Sequence, residues 1–197
     1  MSDRLQLVPL TPEHLDRFAA FLGDDAFGGC FCAVWTHFGA DWGERCRDPE
    51  RPNLAATRID VEAGRSPGFL VEHDGELVAW TGSGPKPEFP LLRERLGARR
   101  SEEWSATTWC IGCLAIAGAR RGQGLAAEIV RAVIARAGET GATRIEAYPT
   151  DPWDEPRSYR GALPLYRRLG FEEEARESDG TAEIVLMARS VGPSDSR

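Results

Sequence analysis

The sequence predicts a single α/β domain of the α+β kind: a mixed, mostly antiparallel sheet with one parallel strand pair and helices on both faces. Three observations carry this. Asp74-Gly75 between two apolar runs is a strong hairpin signal, because both central residues of such a turn need positive φ. An apolar run over 107–116 leads through a short turn into a long helical pattern, then into a strand at 144–148; that is a right-handed parallel crossover. Strand and helix patterns are interspersed in the order β, α, α, β-hairpin, β, α, β, α, β, β, and a layered fold buries both kinds of face.

The elements follow in order. Leu5 to Leu10 alternates and reads as a first strand. Thr11-Pro12 opens a helix with Leu15, Phe18, Ala19 and Leu22 as its inner stripe. Residues 23–52, dense in Gly, Asp, Cys and Trp, read as a structured loop with a short helix near Val34. Asn53 is expected to cap a second helix that runs through Ala63 and stops at Gly64. The hairpin pairs Gly68–His73 with Glu76–Thr81. A loop over Pro85–Pro90 and a short helix at Leu91–Leu96 lead to the strand at 107–116. The long helix runs from about Gly124 to Glu139, with Leu125, Ile129, Ala132, Val133 and Ala137 at helical spacing. After the strand Arg144–Tyr148 come a Pro-rich loop, a short helix at Gly161–Leu169 stopped by Gly170, and closing strands at Glu172–Arg176 and Thr181–Met187. Residues 1–189 are expected to form one domain and 190–197 a disordered tail.

Composition narrows the function. Hydrophobic residues make up 42% of the 197 and charged residues 28%, so the chain suits a folded soluble domain that buries its own core. The net charge of −7 argues against a nucleic-acid partner, which demands a basic face, and favours a cationic or amine substrate. No apolar stretch is long enough for a membrane span, and the first residues do not form a signal peptide; a cytoplasmic location is expected. The five cysteines are expected to be reduced. Cys30, Cys32, His37 and Cys46 match no standard zinc spacing, so no metal is expected.

The chemistry concentrates in Arg121-Gly-Gln-Gly124-Leu-Ala126, where a glycine-rich turn opens the long helix. Glycines let the backbone approach an anion, and the first free N–H groups of a helix point at it. Such a cradle binds a phosphorylated cofactor, and three kinds compete. A Walker A loop needs Gly-Lys followed by Ser or Thr, which is absent. A dinucleotide fingerprint is formally met from Gly122 to Ala127, with Glu146 about twenty positions on. Its first glycine should follow the strand at once, however, and too little chain follows Glu146 for a second half-domain. Coenzyme A is the third, with the pattern Arg-x-x-Gly-x-Gly/Ala met by Arg121, Gly124 and Ala126.

In these residues the chain resembles the GNAT superfamily of acyl-CoA-dependent N-acetyltransferases. Leu114-Ala-Ile116, four residues and then Arg121-Gly-Gln-Gly124-Leu-Ala126 resemble the family's strand, turn and helix. Ala162-x-x-Leu165-Tyr166-x-x-Leu169-Gly170-Phe171 is similar to its C-terminal signature. The resemblance covers about residues 107–173 and implies a GNAT-like fold whose parallel strands splay. It departs from the family at Gly118, where a Pro is common, and at Tyr159, where an Asn commonly contacts the pantetheine arm.

The resemblance implies acetyl-CoA as cofactor, held by Leu114, Ala115, Ile116, Arg121, Gly122, Gln123, Gly124, Leu125, Ala126 and Tyr159. Backbone N–H groups from Arg121 to Ala126 would hold the pyrophosphate. One N–H of the strand would polarise the thioester carbonyl, and Tyr166 would protonate the leaving thiolate. Candidate general bases are Glu103, Asp151, Asp154 and Glu155, with Glu103 preferred for its place just before the core strand. Trp35, Trp42, Trp153 and Asp151 are candidates for the acceptor pocket, where aromatic faces would receive a cationic amine; a small satellite core explains the aromatics equally well. The expected reaction is acetyl transfer to the primary amine of a small molecule, an aminoglycoside-type antibiotic being one class. The alternatives are acetylation of protein N-termini or lysines, and a non-catalytic acyl-CoA sensor. A homodimer is compatible with the family.

Overall fold

The computed structural model describes residues 5–37, 39–92, 104–152, 159–178, 183–192 and 195. The expected Leu91–Leu96 helix lies outside these beyond Leu92. The strands are β1 (Leu5–Pro9), β2 (Phe69–His73), β3 (Glu76–Pro85), β4 (Thr108–Ile116), β5 (Arg144–Ala147), β6 (Thr150–Asp151), β7 (Glu172–Ser178) and β8 (Glu183–Ser190). The α-helices are α1 (Leu15–Leu22), α2 (Trp42–Arg47), α3 (Pro52–Glu62), α4 (Leu125–Glu139) and α5 (Leu163–Arg168).

The described strands form one mixed sheet in the order β1-β2-β3-β4-β5-β8, with β7 on the far side of β8 and β6 continuing the line of β5 along β8. Only β4 and β5 run parallel. The β2–β3 turn has Asp74 at φ 52° and Gly75 at φ 82°, the double positive-φ geometry that the dipeptide favours. β3 runs four residues beyond the expected Thr81, because β4 pairs with it as far as Pro85 opposite Trp109.

Two cores flank the sheet. α4 buries Leu125, Ile129, Val130, Val133, Ile134 and Ala137 against one face, with Leu165, Tyr166 and Phe171 beside them. The other face packs Phe18, Leu22, Phe31 and Trp35 over Leu70, Trp80, Cys110, Ala115 and Tyr148.

Asn53 does not cap its helix. Pro52 starts α3, and the fully buried Asn53 side chain accepts from Arg45 Nε (3.0 Å) and donates to Gly29 O (3.0 Å). It therefore fastens the 28–46 loop to the domain. α2, within that loop, is a helix that loop-like composition hid. At the other end, β8 carries the chain to Ser190, Val191 is buried, and Asp195 accepts from Arg189.

A buried charge cluster sits beneath β5. Lys86 Nζ lies 2.7 Å from Glu146 Oε2, an ion pair without well-aligned hydrogen-bond geometry, and both side chains are 2% exposed. Tyr148 Oη donates to Glu146 Oε2 (2.7 Å), and Arg144 Nε donates to Oε1 (2.9 Å). Removing one partner of such a pair leaves a buried charge uncompensated. Lys86→Met is expected to destabilise the protein by about 3 kcal/mol in urea unfolding, even though Met fills the same space. Burial also raises the Cys110 thiol and the Tyr148 and Tyr166 phenols above their ordinary ranges. Their contribution to stability is present below the unfolded values and is lost as pH rises through the raised ones. Cys32, lowered by its contact with Cys113, opposes this by one group. Melting temperatures are expected to hold level between about pH 7 and 8 and to fall above about pH 9.

Candidate active site

The site begins where β4 and β5 part. Their parallel ladder holds only from Thr108–Arg144 to Ile111–Ala147. Next, Gly112 is an extra residue in β4 against β3: Ser83 opposes Ile111 and Gly82 opposes Cys113. Such a bulge bends and twists its strand. Only Gly fits, since a Cβ there would lie 2.7 Å from Trp35 Nε1. On the β5 side, Pro149 has no N–H to give, and its carbonyl accepts from Val185 of β8 (2.9 Å). β5 and β6 thus follow β8, while β4 goes on to Ile116 paired with β3 only.

A cavity of about 390 Å³ opens along that freed edge. Leu114 and Ile116 wall it on one side, the turn and first residues of α4 on the next, and Tyr159, Gly161 and the α5 residues Leu165 and Arg168 on the third. Ala115 points to the opposite face and packs in the second core, as strand alternation demands.

The mouth of α4 has the geometry of an anion cradle. Gly122 (φ 73°) and Gly124 (φ 84°) occupy the left-handed region, and nothing lies within 4 Å of where a Cβ would sit on either. Gly124 is the N-cap and no side chain caps the helix, so its first N–H groups face the cavity with the positive end of the dipole. Arg121 lines the cavity and anchors the turn through Nε to Ile116 O (3.1 Å). Gln123 turns away: its amide donates to Ala119 O (2.9 Å), and it borders a separate hollow with His73 and Glu128. The glycine backbone, the uncapped helix and the long slot fit the diphosphate and pantetheine arm of coenzyme A.

Tyr166 does not line the cavity; it is fully buried behind Gly161, its ring edge-on to Phe171 with centroids 5.3 Å apart. Its hydroxyl donates to Arg160 O (2.7 Å). Burial pushes the phenol far above its ordinary range, with the nearby Cys113 thiol adding to the rise. The Leu114 N–H faces the splay and donates to Tyr159 O (2.5 Å).

A family model described as the acetyltransferase (GNAT) family matches residues 30–171. The chain belongs to the GNAT acetyltransferases. Members of this family use acetyl-CoA. The aminoglycoside acetyltransferase AAC(6')-Ib in complex with ribostamycin and coenzyme A is similar at a TM-score of 0.60 and 20% identity, over 95% of this chain and 94% of that one. Ard1 from Thermoplasma volcanium is similar at 0.54 and 12%, over 95% and 97%. An N-acetyltransferase from Staphylococcus aureus Mu50 is similar at 0.55 and 14%, over 96% and 99%. At these identities the likeness is one of fold. No curated protein matches the sequence.

The fold of this GNAT protein brings Leu114, Ile116, Arg121, Gly122, Gly124, Leu125, Ala126 and Tyr159 around one cavity. Arg120, Ala127, Gly161, Ala162, Leu165 and Arg168 join them and were missed in the sequence; Ala162 and Leu165 lie within the quoted C-terminal signature. Glu103, Trp153, Asp154 and Glu155 lie outside the described residues. Trp35 is 2% exposed, packed on Gly112 with the Arg160 guanidinium 5.4 Å from its ring. Trp42 starts α2 and is half-buried. Asp151 accepts from Arg176 (2.8 Å). Among the described residues, no group of three or more His, Cys, Asp or Glu is placed to hold a metal, and no helix is long and apolar enough to cross a membrane.

The cradle makes a sharp expectation. In Gly124→Ala the new methyl meets no protein atom, so the only cost to the free protein is left-handed strain of about 1–2 kcal/mol. On the expectation that this turn holds the diphosphate of coenzyme A, the same methyl would crowd it. Calorimetric titration is expected to give at least tenfold weaker coenzyme A binding, while thermal melts drop by only a few degrees.

Proposed function

We propose that this GNAT protein transfers the acetyl group of acetyl-CoA to the primary amine of a small, cationic acceptor, with aminoglycoside-type amino sugars as the leading class. The observation that carries the reading is the continuous cavity from the α4 cradle along Leu114 and Ile116 to the segment covering Tyr166. Acetyl-CoA supplies an activated thioester with a thiol as leaving group. The N–H groups from Gly122 to Ala126 bind and orient its diphosphate, and the Leu114–Ile116 edge aligns its arm like an added strand. The Leu114 N–H is the donor for the oxyanion, a contact type worth a few kcal/mol. Tyr166 Oη delivers the proton to the departing sulfur. Glu103 is the preferred group to take the amine proton, with Asp151, which pairs with Arg176, and Asp154 and Glu155 as the alternatives.

Support for the acceptor class comes from charge and kinship. The net charge of −7 attracts polycationic amines. AAC(6')-Ib, similar over nearly its whole length, was crystallised with ribostamycin and with kanamycin. A cytoplasmic location suits a consumer of acetyl-CoA.

The test is acetyl-CoA-dependent thiol release over a panel of aminoglycosides, simple amines and peptides with free N-termini or lysines. Turnover on amino sugars is expected; turnover on peptides alone would replace that acceptor class, and tight coenzyme A binding with no turnover would make the protein a sensor. On the best amine, Tyr166→Phe is expected to lower kcat about 100-fold with little change in KM. Wild-type kcat is expected to show no fall near pH 10 from loss of the Tyr166 proton, since burial moves that ionisation higher.

A further inference from the structure

Residues 159–161 form a strap across the splay, and each of them is engaged. The Tyr159 carbonyl takes the Leu114 N–H at 2.5 Å. The Arg160 carbonyl takes the Tyr166 hydroxyl at 2.7 Å. Gly161, at φ 77°, passes so close that a Cβ would lie 2.9 Å from Tyr166 Oη and 3.2 Å from Leu114 Cδ1. Three further contacts pin the strap to the opposite side of the site. The Tyr159 hydroxyl donates to Ala26 O, its ring lies 6.1 Å from that of Phe27, and the Arg160 guanidinium sits over Trp35.

The two capped groups are those that acyl transfer needs: a strand N–H facing the splay and the buried phenol. Beyond Ile111, β4 has no β5 partner to satisfy its outward edge. A buried donor without an acceptor is costly, and the strap supplies both acceptors from consecutive residues. Its backbone meets the β4 edge at Leu114, the edge along which the thioester arm is proposed to align.

We propose that residues 159–161 are a built-in occupant of the acyl-thioester seat, which acetyl-CoA must displace before Leu114 N–H and Tyr166 Oη become available. This rests on the acetyltransferase reading above and adds its regulation. The closed strap makes the measured affinity weaker than the intrinsic one by the fraction of molecules in which the strap is open. Loosening the far-side pins therefore tightens binding, the opposite of what damage to a binding surface does.

The experiment titrates acetyl-CoA, without amine, into the wild-type protein, Tyr159→Phe and Phe27→Leu, with melting curves to establish that each is folded. Tyr159→Phe deletes only the hydroxyl held by Ala26 O, and Phe27→Leu thins the ring contact. Tyr159→Phe is expected to bind about fivefold more tightly, the effect of one net hydrogen bond, and Phe27→Leu to shift the same way. The Leu114 amide of the ligand-free protein is expected to be protected from hydrogen exchange in the wild type and less so in both variants. Unchanged or weaker affinity in both folded variants, or an unprotected Leu114 amide in the free wild type, overturns the strap and leaves the acetyltransferase reading standing. No binding of acetyl-CoA to any of the three overturns that reading itself, and the strap falls with it.

Discussion

The unequal lengths of the two parallel strands are the constraint on which the site depends. β4 has nine residues and β5 four, and their ladder ends after four pairs. Had they matched, the outer edge of Leu114 to Ile116 would be spent on strand pairing and no slot would exist. Two local features set the mismatch. Gly112 inserts an extra residue into β4, and Pro149 removes a donor just past β5. The parting strands then point the free edge at the mouth of α4, whose core residues seat it on the same face of the sheet. Cradle and slot are consequences of one divergence.

Such a divergence needs something to hold its closed end shut, and the charge cluster under β5 does that. Cys110 opposite Glu146 is the next-to-last pair before the strands separate. Glu146 is gripped by Lys86 from the turn after β3, by Arg144 from its own strand and by Tyr148 just beyond it. Arg144 reaches on to Glu174 of β7 through two bonds of 2.8 and 2.6 Å. The cluster therefore ties the β3 end to the β5–β8–β7 half of the sheet. Apolar side chains would fill the space as well, but they would not fix these strands in one relative position.

What could be read in the sequence was local chemistry. Asp74-Gly75 specifies its own turn, the α4 stripe its own burial, and Gly122 and Gly124 their own positive φ, because each depends on neighbours a few positions away. Partners far along the chain were not legible. Asn53 sits where a cap is expected, yet it is spent on Gly29 and Arg45, and only the folded loop brings these to it. Gln123 is inside the motif but faces the other way, since its amide has a nearer partner in Ala119 O. The aromatic-rich 27–42 stretch left a pocket wall and a satellite core equally open. Trp35 took the second place because the Gly112 bulge leaves a hollow that the indole fills.

The burial of Tyr166 bears on its chemistry. A phenol is a weaker acid than a thiol by about 2 kcal/mol in water, and burial raises the phenol further. Taken alone, that argues against a proton donor. The same surroundings act on sulfur as well. The Cys113 thiol, whose charge acts on Tyr166, is raised by its contact with Cys32 and then by burial. In the proposed reaction a thiolate leaving beside Tyr166 would lose hydration in the same way. Desolvation acts in the same direction on phenol and thiol, since burial disfavours the anion of each. In the proposed reaction the buried phenol would therefore keep its proton until the departing sulfur takes it.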